Sequence, residues 1–171
     1  ETVVCMHEDR RGDLWVGTMD GLNRFDRKTG TFRRYFEKDG LPNSYILGIL
    51  EDDHTNLWIS SVKGISRFDP ERQVFHNYDQ SDGLQSDEFN SGACAKDPRT
   101  GEMYFGGTNG FNVFHPDRVK DNPFVPPVVL SGFTRYNTDD AEGKPIVEKG
   151  ISAKREITLS YKDNVATFEF A

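Results

Sequence analysis

The sequence predicts an all-β chain: a partial β-propeller of about three four-stranded blades, the last incomplete, followed by the first strands of an immunoglobulin-like β-sandwich. Three observations predict it. One block of residues recurs at an offset of 43, taking Trp15 to Trp58, Gly21 to Gly64 and Phe25 to Phe68. Each copy holds short apolar, β-branched runs divided by turn residues. No stretch places apolar residues at helical spacing over ten or more positions. Several short antiparallel strands per repeat of this length mark a propeller blade, since leucine-rich repeats are shorter and helical repeats need a 3.6 period.

The first copy reads Glu8-Asp9-Arg10-Arg11-Gly12-Asp13-Leu14-Trp15-Val16-Gly17-Thr18, then Gly21-Leu22-Asn23-Arg24-Phe25-Asp26. The second reads Glu51-Asp52 through Leu57-Trp58-Ile59-Ser60-Ser61, then Gly64-Ile65-Ser66-Arg67-Phe68-Asp69. The offset continues through Phe32 to Phe75, Tyr35 to Tyr78, and Asp39-Gly40-Leu41 to Asp82-Gly83-Leu84. Asp20-Gly21 and Lys63-Gly64 sit between strand runs, where a tight hairpin demands positive φ. A third, drifted copy carries Lys96-Asp97, Gly101 to Gly106 and Asn109 to Pro116, and it lacks a fourth strand. The blades are placed at about residues 3–45, 46–88 and 89–120. Trp15, Trp58 and Tyr104 recur at one position, as do Phe25, Phe68 and Phe114. An aromatic at one place in every blade reads as packing between blades, ahead of a sugar-stacking platform.

Composition shifts at 121–127, a Pro-rich passage read as a linker. Residues 128–171 are read as a truncated sandwich domain. Its strands are expected at Val128 to Phe133, Glu156 to Tyr161 and Ala166 to Phe170, with a polar stretch from Asn137 to Gly143. Alternating apolar residues Ile157, Leu159 and Tyr161 suggest a half-buried strand, and Lys162-Asp163-Asn164 a turn. Both ends read as cut, so a longer protein is expected. Three blades cannot close a ring and leave faces and edges open. The remaining blades are expected from further sequence or from another copy.

The chemistry is limited. Leu, Ile, Val and Phe make up about a quarter of the chain, enough for a core. A net charge of −7 argues against a nucleic-acid partner. No apolar run approaches the roughly 18 residues of a membrane span. Cys5 and Cys94 lie in strand-like stretches and read as small buried hydrophobes, with their disulfide state open. His7, His54, His76 and His115 lie far apart without ligand spacing, so no metal site is expected. Asp52-Asp53 and Asp139-Asp140 lack the calcium-loop pattern and read as solvated turns. No nucleophile elbow and no phosphate-cradling glycine loop occurs. No catalytic residue and no cofactor is expected.

The motif at 8–26 resembles the two-component regulator propeller repeat. Phe89-Asn90-Ser91-Gly92-Ala93 through Phe105-Gly106-Gly107 and Asn109-Gly110-Phe111 is similar to that family's terminal blade. Pro126-Pro127, Leu159-Ser160-Tyr161-Lys162-Asp163-Asn164 and Phe168-Glu169-Phe170 resemble the start of the three-tyrosine, Ig-like domain that follows it. The second copy departs by Ser60-Ser61 for Gly17-Thr18, and the third by Tyr104 for tryptophan. The resemblance implies the periplasmic sensor region of a Bacteroidetes hybrid two-component protein, anchored in the inner membrane and dimeric. It implies sensing of glycan breakdown products that switch on polysaccharide utilisation through a histidine kinase.

Strand direction alone brings two kinds of loop to one end of such blades: the loop leading into each first strand and the hairpin between second and third strands. Candidate ligand-binding residues at this mouth are Asp20, Asn43, Tyr45, Lys63, Asp87, Glu88, Asn90 and Asn109. Their carboxylate, amide, ammonium and aromatic groups suit hydrogen bonding and stacking on an oligosaccharide. Asn43 and Asn90 also suit plain turn chemistry. Other functions left open are a propeller enzyme acting on polysaccharide and a protein-interaction scaffold.

Overall fold

In the computed structural model, the described residues are 2–120, 129–137, 146–149, 151 and 156–170. They fall into two compact units, residues 1–120 and 121–171.

The first unit holds three antiparallel sheets, each built in chain order. The first comprises β1 (Val3–Glu8), β2 (Leu14–Thr18), β3 (Gly21–Asp26) and β4 (Thr31–Tyr35). The second comprises β5 (Ile46–Glu51), β6 (Leu57–Ser61), β7 (Gly64–Asp69) and β8 (Val74–Tyr78). The third has β9 (Phe89–Lys96), β10 (Met103–Gly107) and β11 (Gly110–Phe114), and among the described residues no fourth strand pairs with β11. The sequence repeat is a repeat of register: Trp15 faces Arg24 and Trp58 faces Arg67, while Phe25 faces Phe32 and Phe68 faces Phe75. The hairpin glycines are obligatory. Gly21 has φ 108°, and a Cβ there would lie 2.6 Å from the Tyr35 carbonyl oxygen.

The first strands β1, β5 and β9 run side by side. Two cores fill the gaps between sheets. Trp15, Leu22, Tyr35, Leu57 and Phe68 close the first gap, and Trp58, Ile65, Phe89, Met103 and Phe105 close the second. Trp15 and Trp58 are buried as packing residues. Each indole N–H is anchored. Trp15 Nε1 donates to Asp9 Oδ2 at 2.8 Å, and Trp58 Nε1 to Asp52 Oδ2 at 3.0 Å. The other carboxylate oxygen of Asp9 accepts the Arg11 and Asp13 amides, and that of Asp52 accepts the His54 and Asn56 amides.

Asp52 therefore corrects one expectation. It lies in a turn, yet it is buried, because a carboxylate here satisfies two turn amides and an indole. Asp139 and Asp140 lie outside the described residues. The histidines also differ from the reading that all four stand apart. His54 Nε2 lies 3.0 Å from Asp117 Oδ1, and His115 Nδ1 lies 3.9 Å from Asp117 Oδ2. Long-range packing joins what the spacing separates. Among the described residues no set of three metal-capable side chains gathers. Cys5 and Cys94 are free, half-buried thiols; burial pushes the Cys5 thiol up to about 12 and raises that of Cys94.

Among the described residues the second unit holds one antiparallel sheet in the order β13-β12-β14, from β12 (Leu130–Asn137), β13 (Ile146–Lys149) and β14 (Asp163–Phe170). Phe133 opposes Phe168, their rings 5.2 Å apart. The strand expected at Glu156 to Tyr161 is absent: residues 156–160 are irregular and Tyr161-Lys162 is a turn. The expected turn at Lys162-Asp163-Asn164 shifts accordingly, and β14 begins at Asp163. Asp163 explains the change. Its carboxylate accepts the Ser160 amide at 2.8 Å and Arg135 Nη1 at 3.0 Å, which closes the turn and ties β14 to β12. The linker at 121–127 and residues 138–143 of the polar stretch lie outside the described residues.

Candidate functional site

Each second-to-third-strand hairpin of the first two sheets touches the loop that leads into the next sheet. The Gly21 amide donates to the Ser44 carbonyl at 2.7 Å, and the Gly64 amide to the Asp87 carbonyl at 2.7 Å. These bonds place Asp20 beside the Asn43–Tyr45 loop and Lys63 beside the loop carrying Asp87 and Glu88. In the third sheet the hairpin folds onto its own lead-in loop. The Thr108 amide donates to the Glu88 carbonyl at 3.1 Å, and the Asn109 amide to Gln85 Oε1 at 2.8 Å. The candidates thus form three neighbouring groups on the hairpin end of unit 1, with Asn90 near the start of β9.

Their side chains divide into two kinds. Asn43 Oδ1 accepts the Tyr45 amide at 2.8 Å, and Asp87 Oδ1 accepts the Gln80 amide at 2.7 Å. Asn109 Nδ2 donates to the Gln85 carbonyl at 3.2 Å. Tyr45 packs against the second core. These four shape loops. Asp20, Lys63, Glu88 and Asn90 are exposed, and among the described residues their side chains have no hydrogen bond or ion pair. They are the groups a polar ligand can reach.

One residue was missed. Gln85 uses Oε1 to hold the Asn109 amide, while its Nε2 is buried without a partner. It stands where the preceding repeat has Pro42. That break in the repeat, a side-chain amide in place of a residue without an N–H, was the available signal.

The opposite end of the unit has different chemistry. Arg10 Nη2 lies 2.5 Å and Lys96 Nζ 2.8 Å from Asp53 Oδ1. Hydrogen bonds from Lys96 and Arg10 hold the Asp53 carboxyl down to about 2. The cleft beside them is lined by Arg10, Asp53, Lys96 and Arg99 and includes none of the eight candidates.

Residues 1–20 and 40–63 match the family model of the two component regulator propeller. The matched stretches hold β1, β2, β5 and β6 of the first two sheets. The chain is similar over 99% of its length to the extracellular domain of the hybrid two component system BT3049 from B. thetaiotaomicron, with 29% identity and a TM-score of 0.68. The extracellular domain of BT4673 from the same organism shares the fold, with 21% identity, a TM-score of 0.51 and 99% of this chain covered. PorZ of the type-IX secretion system of Porphyromonas gingivalis shares it over 86% of the chain, with 14% identity and a TM-score of 0.55. The chain spans 23%, 22% and 24% of these three structures. No curated protein matches the sequence.

Proposed function

We propose that this chain is a sensor segment of a hybrid two-component protein, on the periplasmic side of the inner membrane. The observation that carries this is the likeness to the BT3049 extracellular domain over nearly the whole chain. In this reading the regulator propeller repeats help recognise a glycan breakdown product through the hairpin end. Asp20, Lys63, Glu88 and Asn90 supply hydrogen-bonding groups; Asn43, Asp87 and Asn109 set the loops that carry them. Residues 128–171 begin the Ig-like three-tyrosine domain, which passes the change towards a transmembrane histidine kinase within a homodimer. A ligand shifts such an assembly only by its differential affinity for the two states. The segment itself works by binding, without catalysis.

The test is thermal melting of the chain against a panel of defined oligosaccharides. A ligand at 100 times its dissociation constant stabilises by about 2.7 kcal/mol. One glycan class raising the melting temperature is the expected result. A flat panel overturns direct glycan recognition by this segment, and steady release of product from any oligosaccharide overturns the non-catalytic reading.

A further inference from the structure

The one aromatic among the eight candidates, Tyr45, is spent on packing against the second core. A different aromatic stands at the hairpin end. Phe36 follows β4, is partly exposed, belongs to neither core and pairs with no other aromatic ring among the described residues. Its ring edge lies against the first hairpin: a Cβ at Gly21 would lie 3.1 Å from Phe36 Cδ1. The neighbouring hairpin residue is Asp20, exposed and without a partner. The Lys38 ammonium stands 5.6 Å from the ring centroid, and among the described residues no carboxylate pairs with it. An apolar ring is thus flanked by a free acceptor and a free donor.

The second repeat shows that the fold does not require a ring here. Phe36 occupies the position of Asp79. Each residue precedes a short 3-10 turn, Glu37–Asp39 or Gln80–Asp82, closed by a left-handed glycine, Gly40 with φ 116° or Gly83 with φ 103°. In both turns the last carboxylate accepts the amide of the residue at the entry, Asp39 from Phe36 at 2.9 Å and Asp82 from Asp79 at 3.0 Å. Asp79 completes its turn by accepting the Ser81 amide at 2.7 Å, whereas Phe36 has no side-chain acceptor to offer. Such an entry favours Asp, Asn, Ser or Thr, which satisfy its free amides. The first repeat gives up that bond and sets an apolar ring at the surface without adding it to a core. A local rule broken in this way points to function.

We propose that Phe36 is the stacking platform of the hairpin end, taking the C–H face of a pyranose ring, so that the glycan fragment recognised there is built of pyranose and not furanose sugars. A pyranose chair gathers its axial hydrogens into an apolar face of about the size of a phenyl ring, and its equatorial hydroxyls point outward. Stacking buries the apolar face on Phe36, while the hydroxyls meet Asp20 as acceptor and Lys38 as donor. A puckered furanose ring presents no such face. This inference rests on the reading that the hairpin end binds a glycan.

The experiment follows melting and calorimetric titration of the chain, and of its Phe36→Asp and Phe36→Tyr variants, with cello-, xylo-, manno- and galacto-tetraose and with an arabinofuranose tetrasaccharide. The expected result is that at least one pyranose probe raises the parent's melting temperature and the furanose probe does not. Phe36→Asp restores the capping residue of the second repeat, so the unliganded variant should melt no lower than the parent while binding that probe about tenfold more weakly. Phe36→Tyr keeps the ring and should bind as the parent does. Equal binding by Phe36→Asp, loss of binding in Phe36→Tyr, or stabilisation by the furanose probe overturns the proposal while glycan recognition stands. A lower melting temperature of unliganded Phe36→Asp assigns the ring to packing and also overturns it. No response to any probe overturns both.

Discussion

The two ends of the first unit carry similar residue types and use them oppositely. At the end holding the β1–β2 and β5–β6 turns, polar groups are consumed within the protein. Asp9 and Asp52 anchor the tryptophans, and Arg10, Asp53 and Lys96 bridge the sheets. At the hairpin end, Asp20, Lys63, Glu88 and Asn90 stand exposed on loops fixed by other residues. The difference teaches that charge counts do not separate occupied from available polar groups. Partners do. A carboxylate that closes a turn and holds an indole is occupied, whereas one carried on a braced hairpin is available.

Substitutions at the two ends should sharpen this contrast. The largest effect is expected from Asp52→Ala, which leaves the Trp58 indole N–H and two turn amides without their acceptor. A loss of about 3 kcal/mol in urea unfolding is expected. A loss near zero would mean that water replaces the carboxylate and that this end is not braced as described.

Next is Phe75→Ala in β8. Removing this ring from Phe68 and Tyr35 should cost about 2–3 kcal/mol, near the lower limit for buried phenylalanine because Phe75 is partly buried. Little change would show that the outer strand contributes nothing to packing.

A smaller, pH-dependent effect belongs to Asp53. Its carboxyl is held from an ordinary 3.8 down to about 2 by Lys96 and Arg10. The folded state therefore prefers the ionised form. The stabilisation is present above about pH 4 and disappears as pH falls through 2. Asp53→Asn should lower the melting temperature slightly at pH 6, and the gap to the parent should close by pH 2. Because the group is exposed, added salt should also shrink the difference. A difference that persists at pH 2 would assign the effect to something other than charge.

The smallest effect on stability is expected at the hairpin end. The combined Asp20→Ala, Lys63→Ala and Glu88→Ala chain should unfold within about 0.5 kcal/mol of the parent. The same chain should lose stabilisation by any oligosaccharide that raises the parent's melting temperature.

The contrast between ends also shows what the sequence made legible. The repeat carried the eleven strands of the first unit, because each copy combines alternation, a hairpin glycine and a tryptophan or, in the third copy, a tyrosine in one register. The placement of the hairpins beside the lead-in loops followed from strand direction, and the Gly21–Ser44 and Gly64–Asp87 bonds fit it. Non-local events were not legible. Asp52 reads as a turn residue, and only the fold reveals the indole it holds. His54 and His115 meet at Asp117 through packing between distant segments. Residues 157–161 alternate like a strand, yet β12 offers β14 its pairing edge, and Asp163 turns the chain instead. Gln85 could have been noticed where the repeat departs from Pro42, but its buried Nε2 is a property of the fold alone.

The proposed function places recognition at the hairpin end. The most direct measurement is an amide shift map of the chain with an oligosaccharide that raises its melting temperature. The expected result is shifts clustered at Asp20, Lys63, Glu88, Asn90 and Asn109, with Arg10, Asp53 and Lys96 unmoved. Shifts centred on the Arg10, Asp53 and Lys96 cleft, with the hairpins unmoved, would contradict it.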